Sequence, residues 1–271
     1  MVRVMLQWSS MRSLLTLGMF FIAASSFAGD AANSVLSLSH YDERSLDFPE
    51  MQREGLEGVI HEATYPNEHD SRYALRQSEV ARAGLRWGAY HFGNSDDGRR
   101  QADHFLDFVS MEWAQGGSAL RPQGVLLVLD AEQNTHYPGG SMQVEQALHF
   151  IERVHERTGL YPGLYSNENW IKRVFNNPAI DSASRQILGR CWLWIANYHD
   201  LPVSTAPWAR WTLWQYTGDG ICGLPRSRFP TTCGNYRNAE RTIFGGDRST
   251  LRHFWTEHSW LPDHALMVKR E

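Results

Sequence analysis

Basic clusters, internal repeats and low-complexity linkers are all missing from this 271-residue sequence. The formal net charge is −4 and the lysines and arginines form no stripe, which argues against nucleic acid as a partner. Hydrophobic residues make up 42% of the chain and charged residues 21%, an ordinary balance for a globular protein. The length alone leaves one domain of about 240 residues or two smaller domains open.

Motifs of several enzyme classes are also missing. There is no Gly-x-Ser-x-Gly turn for a serine hydrolase, no glycine-rich phosphate loop and no dinucleotide fingerprint. The stretch HEATY (61–65) begins like a zinc-protease motif, but Tyr65 stands where the second histidine is required. The twelve histidines show no other ligand spacing, so the sequence predicts no metal and no cofactor.

The only apolar run that suggests a membrane role lies at the N-terminus. Arg3 and Arg12 precede the apolar stretch 14–24, and small residues follow up to Ala28. This order is typical of a secretory signal peptide, residues 1–28, and the run is short for a membrane span. An uncleaved N-terminal anchor is the alternative. We expect an exported protein, periplasmic or secreted, with residues 29–271 as one domain and no stable membrane insertion after cleavage.

Cysteine is scarce, with one residue each at positions 191, 222 and 233. Cys222 and Cys233 flank a short loop, and we predict that a disulfide closes it, as an exported protein permits. Cys191 would then be a buried free thiol. A catalytic role for Cys191 has little support, because nothing near it in the sequence activates a thiol.

Short apolar strands alternate with helical patterns along the chain. The expected strands cover 35–38, 58–62, 87–91, 125–130, 163–165, 193–196 and 212–215, and the expected helices cover 71–83, 99–113, 141–158 and 249–258. Ser141 is a reasonable N-cap and Gly159 a reasonable stop for the third helix. Strands alternating with helices predict a mostly parallel sheet, and seven or eight strands favour a single distorted TIM-like β/α barrel.

Two acids end the strand in VLLVLDAEQN (125–134). Asp130 and Glu132 are two residues apart, so in extended chain their side chains share one face, with Cα atoms about 6.6 Å apart. In a parallel barrel this strand end carries the active site. Two close carboxylates push their pKa values apart, which suits an acid paired with a charge stabiliser, as in glycosidases. The alternative is a pair of solvated loop acids.

Several blocks, in order, resemble glycoside hydrolase family 25, the Chalaropsis-type N-acetylmuramidases. The matching blocks are GVIHEAT (58–64), WGAYHF (87–92), RQADHFL (100–106), LVLDAE (127–132), YPGLYSN (161–167), LWIANY (193–198), LWQYT (213–217) and GGDRSTLRHFW (245–255). The resemblance covers about residues 35–256. It implies a barrel-fold hydrolase that cleaves the β-1,4 bond from N-acetylmuramic acid to N-acetylglucosamine in peptidoglycan.

The resemblance also implies roles for particular residues. Glu132 would be the general acid, and Asp130 would stabilise positive charge or position the acetamido group. Tyr90 and Tyr165 match positions that line the groove, and further groove-lining blocks contain or adjoin Trp194, Asn197, Tyr198, Gln215 and Tyr216. Simple core packing is the alternative for each aromatic residue, and it is favoured for Trp194 and Trp214.

The chain departs from the family pattern at two strands. Ser37 stands where an aspartate is expected at the end of the first strand. In the last strand block, alignment through Phe244 puts Glu240 at the expected aspartate, whereas alignment through Arg237 and Asn238 puts Tyr236 there. Loss of a neighbouring negative charge should lower the pKa of the acid. A catalytically weak peptidoglycan-binding protein on the same scaffold is therefore the alternative function. In either case we expect a monomer that binds peptidoglycan glycan strands.

Overall fold

The computed structural model describes residues 31–42, 45–116, 123–202 and 205–262, so the predicted signal peptide lies outside the described residues. The strands are β1 (Asn33–Leu38), β2 (Gly58–Tyr65), β3 (Glu68–His69), β4 (Arg86–Phe92), β5 (Val125–Asp130), β6 (Gly163–Asn167), β7 (Trp192–Ala196), β8 (Leu213–Gln215), β9 (Glu240–Phe244) and β10 (Ser259–Trp260). The helices are α1 (Phe48–Arg53), α2 (Tyr73–Arg82), α3 (Gly98–Gly116), α4 (Val144–Thr158), α5 (Glu168–Trp170), α6 (Ser182–Leu188) and α7 (Arg248–His258), and a π-helical turn (Ile171–Phe175) continues α5.

Eight strands close into a barrel in the order β1, β2, β4, β5, β6, β7, β8, β9 and back to β1. The pairs from β1 to β8 are parallel, and β9 is antiparallel to both of its neighbours. The prediction of a single distorted β/α barrel is confirmed. Because β9 is reversed, its first residue lies at the barrel end where the parallel strands finish.

Alternation along the strands divides the core into two layers. Val35, Ile60, Val128 and Trp194 belong to the cluster that fills the barrel, while the intervening residues pack outward against the helices. One end of the barrel is closed by α7, whose Trp255 is fully buried within the inner cluster.

The ring of Trp255 fits under the barrel because Gly58 has no side chain. A Cβ at Gly58 would lie 2.5 Å from the Trp255 ring, and the Trp255 indole N–H donates to the Trp87 carbonyl at 3.1 Å. Closure of this end leaves the opposite end, where the parallel strands finish, as the open mouth.

The predicted helices are confirmed as α2, α3, α4 and α7, with one correction at a cap. The N-cap of α4 is Gln143 and not Ser141, and Ser141 Oγ instead accepts the backbone N–H of Asn134 at 2.9 Å. Gly159 ends α4 in the left-handed region at φ 77°, as expected of a glycine stop. The helices α1, α5 and α6 and the small strands β3 and β10 were not predicted; each is seven residues or shorter.

The predicted disulfide is wrong for this structure, since Cys222 and Cys233 are both free thiols. Cys191 is buried as expected, and burial raises the pKa of its thiol, which argues against a nucleophile. Within the described ranges, no helix combines the length and apolar character needed to cross a bilayer.

Candidate active site

A cavity of about 360 Å³ opens at the mouth of the barrel. Its lining combines carboxylates and aromatic rings from every side of the mouth: Ser37, Ser39, Tyr41, Asp42, Glu62, Tyr90, Phe92, Asp130, Glu132, His136, Tyr137, Tyr165, Trp194, Tyr198, Gln215, Asp219, Gly220, Tyr236, Asn238 and Glu240. The position at the carboxyl ends of the parallel strands is where barrel enzymes place their chemistry.

Asp130 and Glu132 both line this cavity, as the i, i+2 spacing predicts. Asp130 is the last residue of β5 and is 7% exposed, while Glu132 is half-buried just beyond the strand. The backbone between them is fixed on both sides. The N–H of Ala131 donates to the Tyr165 carbonyl at 2.9 Å, and the Ser166 hydroxyl donates to the Ala131 carbonyl at 2.6 Å.

The loop after Glu132 is held by its own side chains. Asn134 Nδ2 donates to the carbonyls of Tyr137 (2.9 Å) and Gly140 (3.0 Å), and its Oδ1 accepts the N–H of Tyr137 at 2.8 Å. Together with the bond to Ser141, these contacts make the loop that carries Glu132 a defined structure.

The pKa values of Glu132 and Asp130 are both raised. Burial raises the pKa of Glu132 to about 7, helped by the charge of Asp219 and opposed by a hydrogen bond from Asn167. Burial raises the pKa of Asp130 well above its usual range, and the charges of Glu132, Glu62 and Glu240 add to this. A carboxylic acid with a pKa of about 7 carries its proton for much of the time near neutral pH, as a general acid must.

Seven of the eight predicted binding residues line the cavity, namely Ser37, Tyr90, Tyr165, Trp194, Tyr198, Gln215 and Glu240. Asn197 does not. Its Nδ2 donates to Glu168 Oε2 at 2.8 Å, and it lies in a neighbouring cavity of about 350 Å³ that shares Glu132, Tyr198 and Asp219 with the main one.

Tyr216 and Trp214 are packed away from the mouth. Tyr216 is fully buried on the helix side, where its hydroxyl donates to the Pro230 carbonyl at 2.6 Å. Trp214 lies in the same layer, as expected, whereas Trp194 is both buried and part of the cavity lining.

Glu240 is the first residue of β9 and pairs directly with Ser37 across the β1–β9 ladder. The alignment through Phe244 therefore puts a carboxylate beside the strand that carries serine in place of the expected aspartate. Burial raises the pKa of Glu240 to about 8, with Asp42 and Asp219 as additional causes. Tyr236 also lines the cavity, and its hydroxyl donates to Asp42.

Two polar atoms of residues lining the cavity are buried without a hydrogen-bond partner in the described part of the chain. They are Asp130 Oδ1 and the indole nitrogen Nε1 of Trp194. A buried polar group without a partner is costly, so one acceptor and one donor are available here to a ligand.

Sequence reasoning missed most of the loop residues at the mouth. Tyr41, His136, Tyr137 and Asp219 follow strands β1, β5 and β8, and the only available signal was their position just after a strand end. Loops bring them together from distant parts of the sequence, and no local pattern predicts that.

Comparisons with known proteins agree with this geometry. The sequence profile of "Glycosyl hydrolases family 25" matches residues 37–223. Lysozyme M1 of Streptomyces globisporus is 26% identical over 204 residues, which are 69% of this chain and 63% of that protein. This chain thus spans less than two thirds of that curated relative.

Solved structures share the fold. The muramidase from Acremonium alcalophilum is 22% identical with a TM-score of 0.61, covering 82% of this chain and 98% of that one. The lysozyme from Streptomyces coelicolor is also 22% identical with a TM-score of 0.61, covering 83% and 97%.

Proposed function

Because the chain belongs to glycosyl hydrolases family 25, we propose that it is a muramidase that hydrolyses the β-1,4 bond between N-acetylmuramic acid and N-acetylglucosamine in peptidoglycan. The names of the relatives, a lysozyme and a muramidase, support this substrate class. The observation that carries the proposal is the Asp130–Glu132 pair, which lines one cavity at the barrel mouth.

In this proposal Glu132 donates its proton to the glycosidic oxygen as the bond to the leaving sugar breaks. Its raised pKa, about 7, keeps the donor form populated near neutral pH. A raised pKa also makes the carboxyl a weaker acid, and a value near the working pH balances the two effects.

Asp130 would act on the sugar that keeps the anomeric carbon. Its Oδ1, buried and without a partner among the described residues, can accept a hydrogen bond from the acetamido N–H or stabilise the positive charge that develops at the ring. Both roles need the carboxylate form, which a polar substrate or water entering the cavity would favour. The intact pair also argues against a purely binding role for the scaffold.

Further parts of the proposal rest on the sequence. The order of charged, apolar and small residues in 1–28 supports export, with residues 29–271 as the mature domain. We also propose that this domain acts as a monomer. Fractionation of cells followed by N-terminal sequencing would test both the compartment and the cleavage site. A mature N-terminus at Met1 would contradict cleavage.

The substitution Glu132→Gln tests the catalytic proposal directly. The amide cannot donate a proton to the leaving oxygen, so the release of muropeptides from purified sacculi should fall by about 10²–10⁴-fold while binding survives. Mass spectrometry of the digest measures the products. The control Glu145→Gln changes an exposed glutamate on α4 and should leave the rate unchanged. Absence of muropeptides from the unmodified chain would refute the proposal.

A further inference from the structure

His40 lies behind the cavity and is anchored by a buried carboxylate. Its ring Nδ1 and its backbone N–H both donate to Glu62 Oε2, the latter at 3.3 Å. Glu62 is 2% exposed and lines the cavity, whereas His40 itself is outside the lining. The other ring nitrogen, Nε2, is 3.3 Å from the hydroxyl of Tyr137.

Five rings around this anchor form an aromatic wall, defined as His40, Tyr41, Tyr65, Phe92 and Tyr137. The His40 ring lies between Tyr41 (centroids 3.9 Å apart) and Tyr65 (4.8 Å). Tyr65 stacks on Tyr137 at 5.1 Å, and Phe92 meets Tyr137 edge-on at 5.1 Å.

The aromatic wall has two layers. Tyr41, Phe92 and Tyr137 line the cavity, while His40 and Tyr65 do not and support them from behind. Tyr41 is 66% exposed, an unusual position for a large aromatic residue held on one face by a second ring. The hydroxyls of Tyr41 and Tyr137 are 3.4 Å apart, which fixes the two outer rings relative to each other.

The surroundings of His40 favour its protonated form. The hydrogen bond to Glu62 raises the pKa of His40, against the effect of burial, and the charges of Glu62, Asp70 and Asp42 act in the same direction as the bond. When it is protonated, the His40 ring, tilted by 37° to Tyr41 and by 30° to Tyr65, gains a cation–π attraction to the two neighbouring rings.

From this geometry we propose that His40, anchored on Glu62, is a positioning residue that fixes Tyr41 and Tyr137 as the wall on which a sugar ring of the glycan strand stacks. The proposal rests on the proposed muramidase function and adds a binding site to it. Flat aromatic faces beside convergent polar groups suit a pyranose ring, which has an apolar face and a hydroxylated rim.

The two cavities indicate which sugar this is. Glu132 lines both, whereas Asp130 lines only the main one. The leaving sugar must lie beside the proton donor, and the sugar that keeps the anomeric carbon must lie beside Asp130. The aromatic wall shares the main cavity with Asp130, so the ring it holds lies on the non-reducing side of the cleaved bond.

The test is the affinity for soluble, peptide-free glycan fragments of peptidoglycan, measured by calorimetry in the inactive Glu132→Gln background. Tyr41→Ala should weaken binding of a hexasaccharide by about 3–10-fold, because the sugar ring loses the aromatic face on which it stacks. Tyr41→Phe keeps the ring and should bind nearly as well as the parent.

The double variant separates positioning from a general structural role. His40→Gln should weaken binding about as much as Tyr41→Ala. The double variant should lose little more affinity than either single variant, since both substitutions disrupt the same stacking surface. Tyr161→Ala is the matched control: this tyrosine also stacks on a histidine, His155 at 4.1 Å, but lies outside the cavity. It should leave affinity unchanged.

Three results would each contradict the proposed role of the wall. They are unchanged affinity in Tyr41→Ala, fully additive effects of Tyr41→Ala and His40→Gln, and no binding of the hexasaccharide by the Glu132→Gln parent. Hydrolysis of sacculi by the unmodified chain tests the muramidase function separately. If the chain binds glycan through the wall but releases no muropeptides, the proposed function is refuted, whereas the sugar-binding role of the wall is supported.

Discussion

At the scale of single residues, the mouth of the barrel is a concentration of carboxylates with little positive charge to offset it. Asp130, Glu132, Glu62 and Glu240 line one cavity and are buried or half-buried, and burial raises the pKa of each. Of these four carboxylates, Glu62 alone pairs with a histidine, His40, in the part of the chain that the structure describes. Protons are therefore retained at this mouth to higher pH than ordinary carboxyl groups allow, which suits a general acid that must carry its proton near neutral pH.

Ser37 offers a direct test of how neighbouring charge affects the carboxyl pKa values at the mouth. It is 4% exposed, lines the cavity and pairs with Glu240 across β1 and β9. The variant Ser37→Asp adds a negative charge, which should raise the pKa of Glu132 further. Activity needs the protonated acid and should decline above a pH of about 7 in the parent. In the variant, that decline should move upward by about 0.5–1 pH unit.

The control for this prediction is Ser37→Asn, which has nearly the size of aspartate but no charge and should keep the parental pH profile. The measurement is the initial rate of sacculus hydrolysis from pH 5 to 9. Identical profiles for the aspartate and asparagine variants would mean that Ser37 is beyond electrostatic reach of the acid.

At the scale of elements, the sequence predicts what depends on local periodicity and misses what depends on tertiary contact. The run VLLVLD predicts β5 to the residue, because its apolar stretch ends at the first acid. The short helix α6 has a single buried residue, Leu188, so no amphipathic pattern indicates it. The cap of α4 was misplaced because Ser141 bonds to the loop after Glu132, a contact that the sequence does not show.

The end of α4 gives a test at this scale. Gly159 has φ 77° and its N–H donates to the His155 carbonyl at 2.8 Å, while a Cβ there would meet nothing within 4 Å. The cost of Gly159→Ala is therefore conformational, about 1 kcal/mol, and should lower Tm by roughly 2–4 °C. Gly159→Asn is the control, because asparagine tolerates the left-handed region and should lose less. Equal Tm values for all three chains in thermal unfolding would contradict this explanation.

At the scale of the whole molecule, the barrel wall separates two sets of buried titratable groups. The carboxylates face the mouth, while His61 and His91 are fully buried and hydrogen-bonded among side chains of the outer layer. Burial lowers the pKa of His61 to about 3 and that of His91 to about 4. The first set gains protons on folding and the second loses them, so their contributions to stability have opposite pH dependence.

The strands of the barrel were easier to predict from the sequence than the residues of its mouth. Barrel closure was predictable because seven strands show apolar runs in the sequence. The mouth was predictable only in part, since Asp130 and Glu132 belong to a strand block whereas Tyr41 and Tyr137 lie in loops 96 residues apart that the barrel brings together. Their contact depends on the closed circle of strands and on the bond between Tyr137 and His40, neither of which has a local signature.

His91 provides a test of the outer layer. Gln101 Oε1, 3.0 Å from Nε2, can only accept, so the neutral ring donates from Nε2 and accepts the Thr64 hydroxyl at Nδ1 (2.8 Å). An unfolded histidine has a pKa near 6.5, so between pH 6.5 and about 4 the unfolded chain binds the extra proton and stability falls as pH falls. The contribution is on the order of 3 kcal/mol across that window and is constant below it.

Thermal unfolding at pH 7, 6, 5 and 4 measures this contribution in the variant His91→Gln. Loss of the ring, which stacks on Phe150 at 5.4 Å, should lower Tm at pH 7. The further decline of Tm from pH 6.5 to 4 should be shallower than in the parent, because the variant lacks one histidine whose pKa is lowered by folding. His253→Gln is the control, since that side chain on α7 is 73% exposed and should leave the slope unchanged. A parallel decline in the parent and in His91→Gln would show that His91 does not contribute to the acid limit. That limit would then have to lie with His61 or with the carboxylates paired to arginine, such as Glu57.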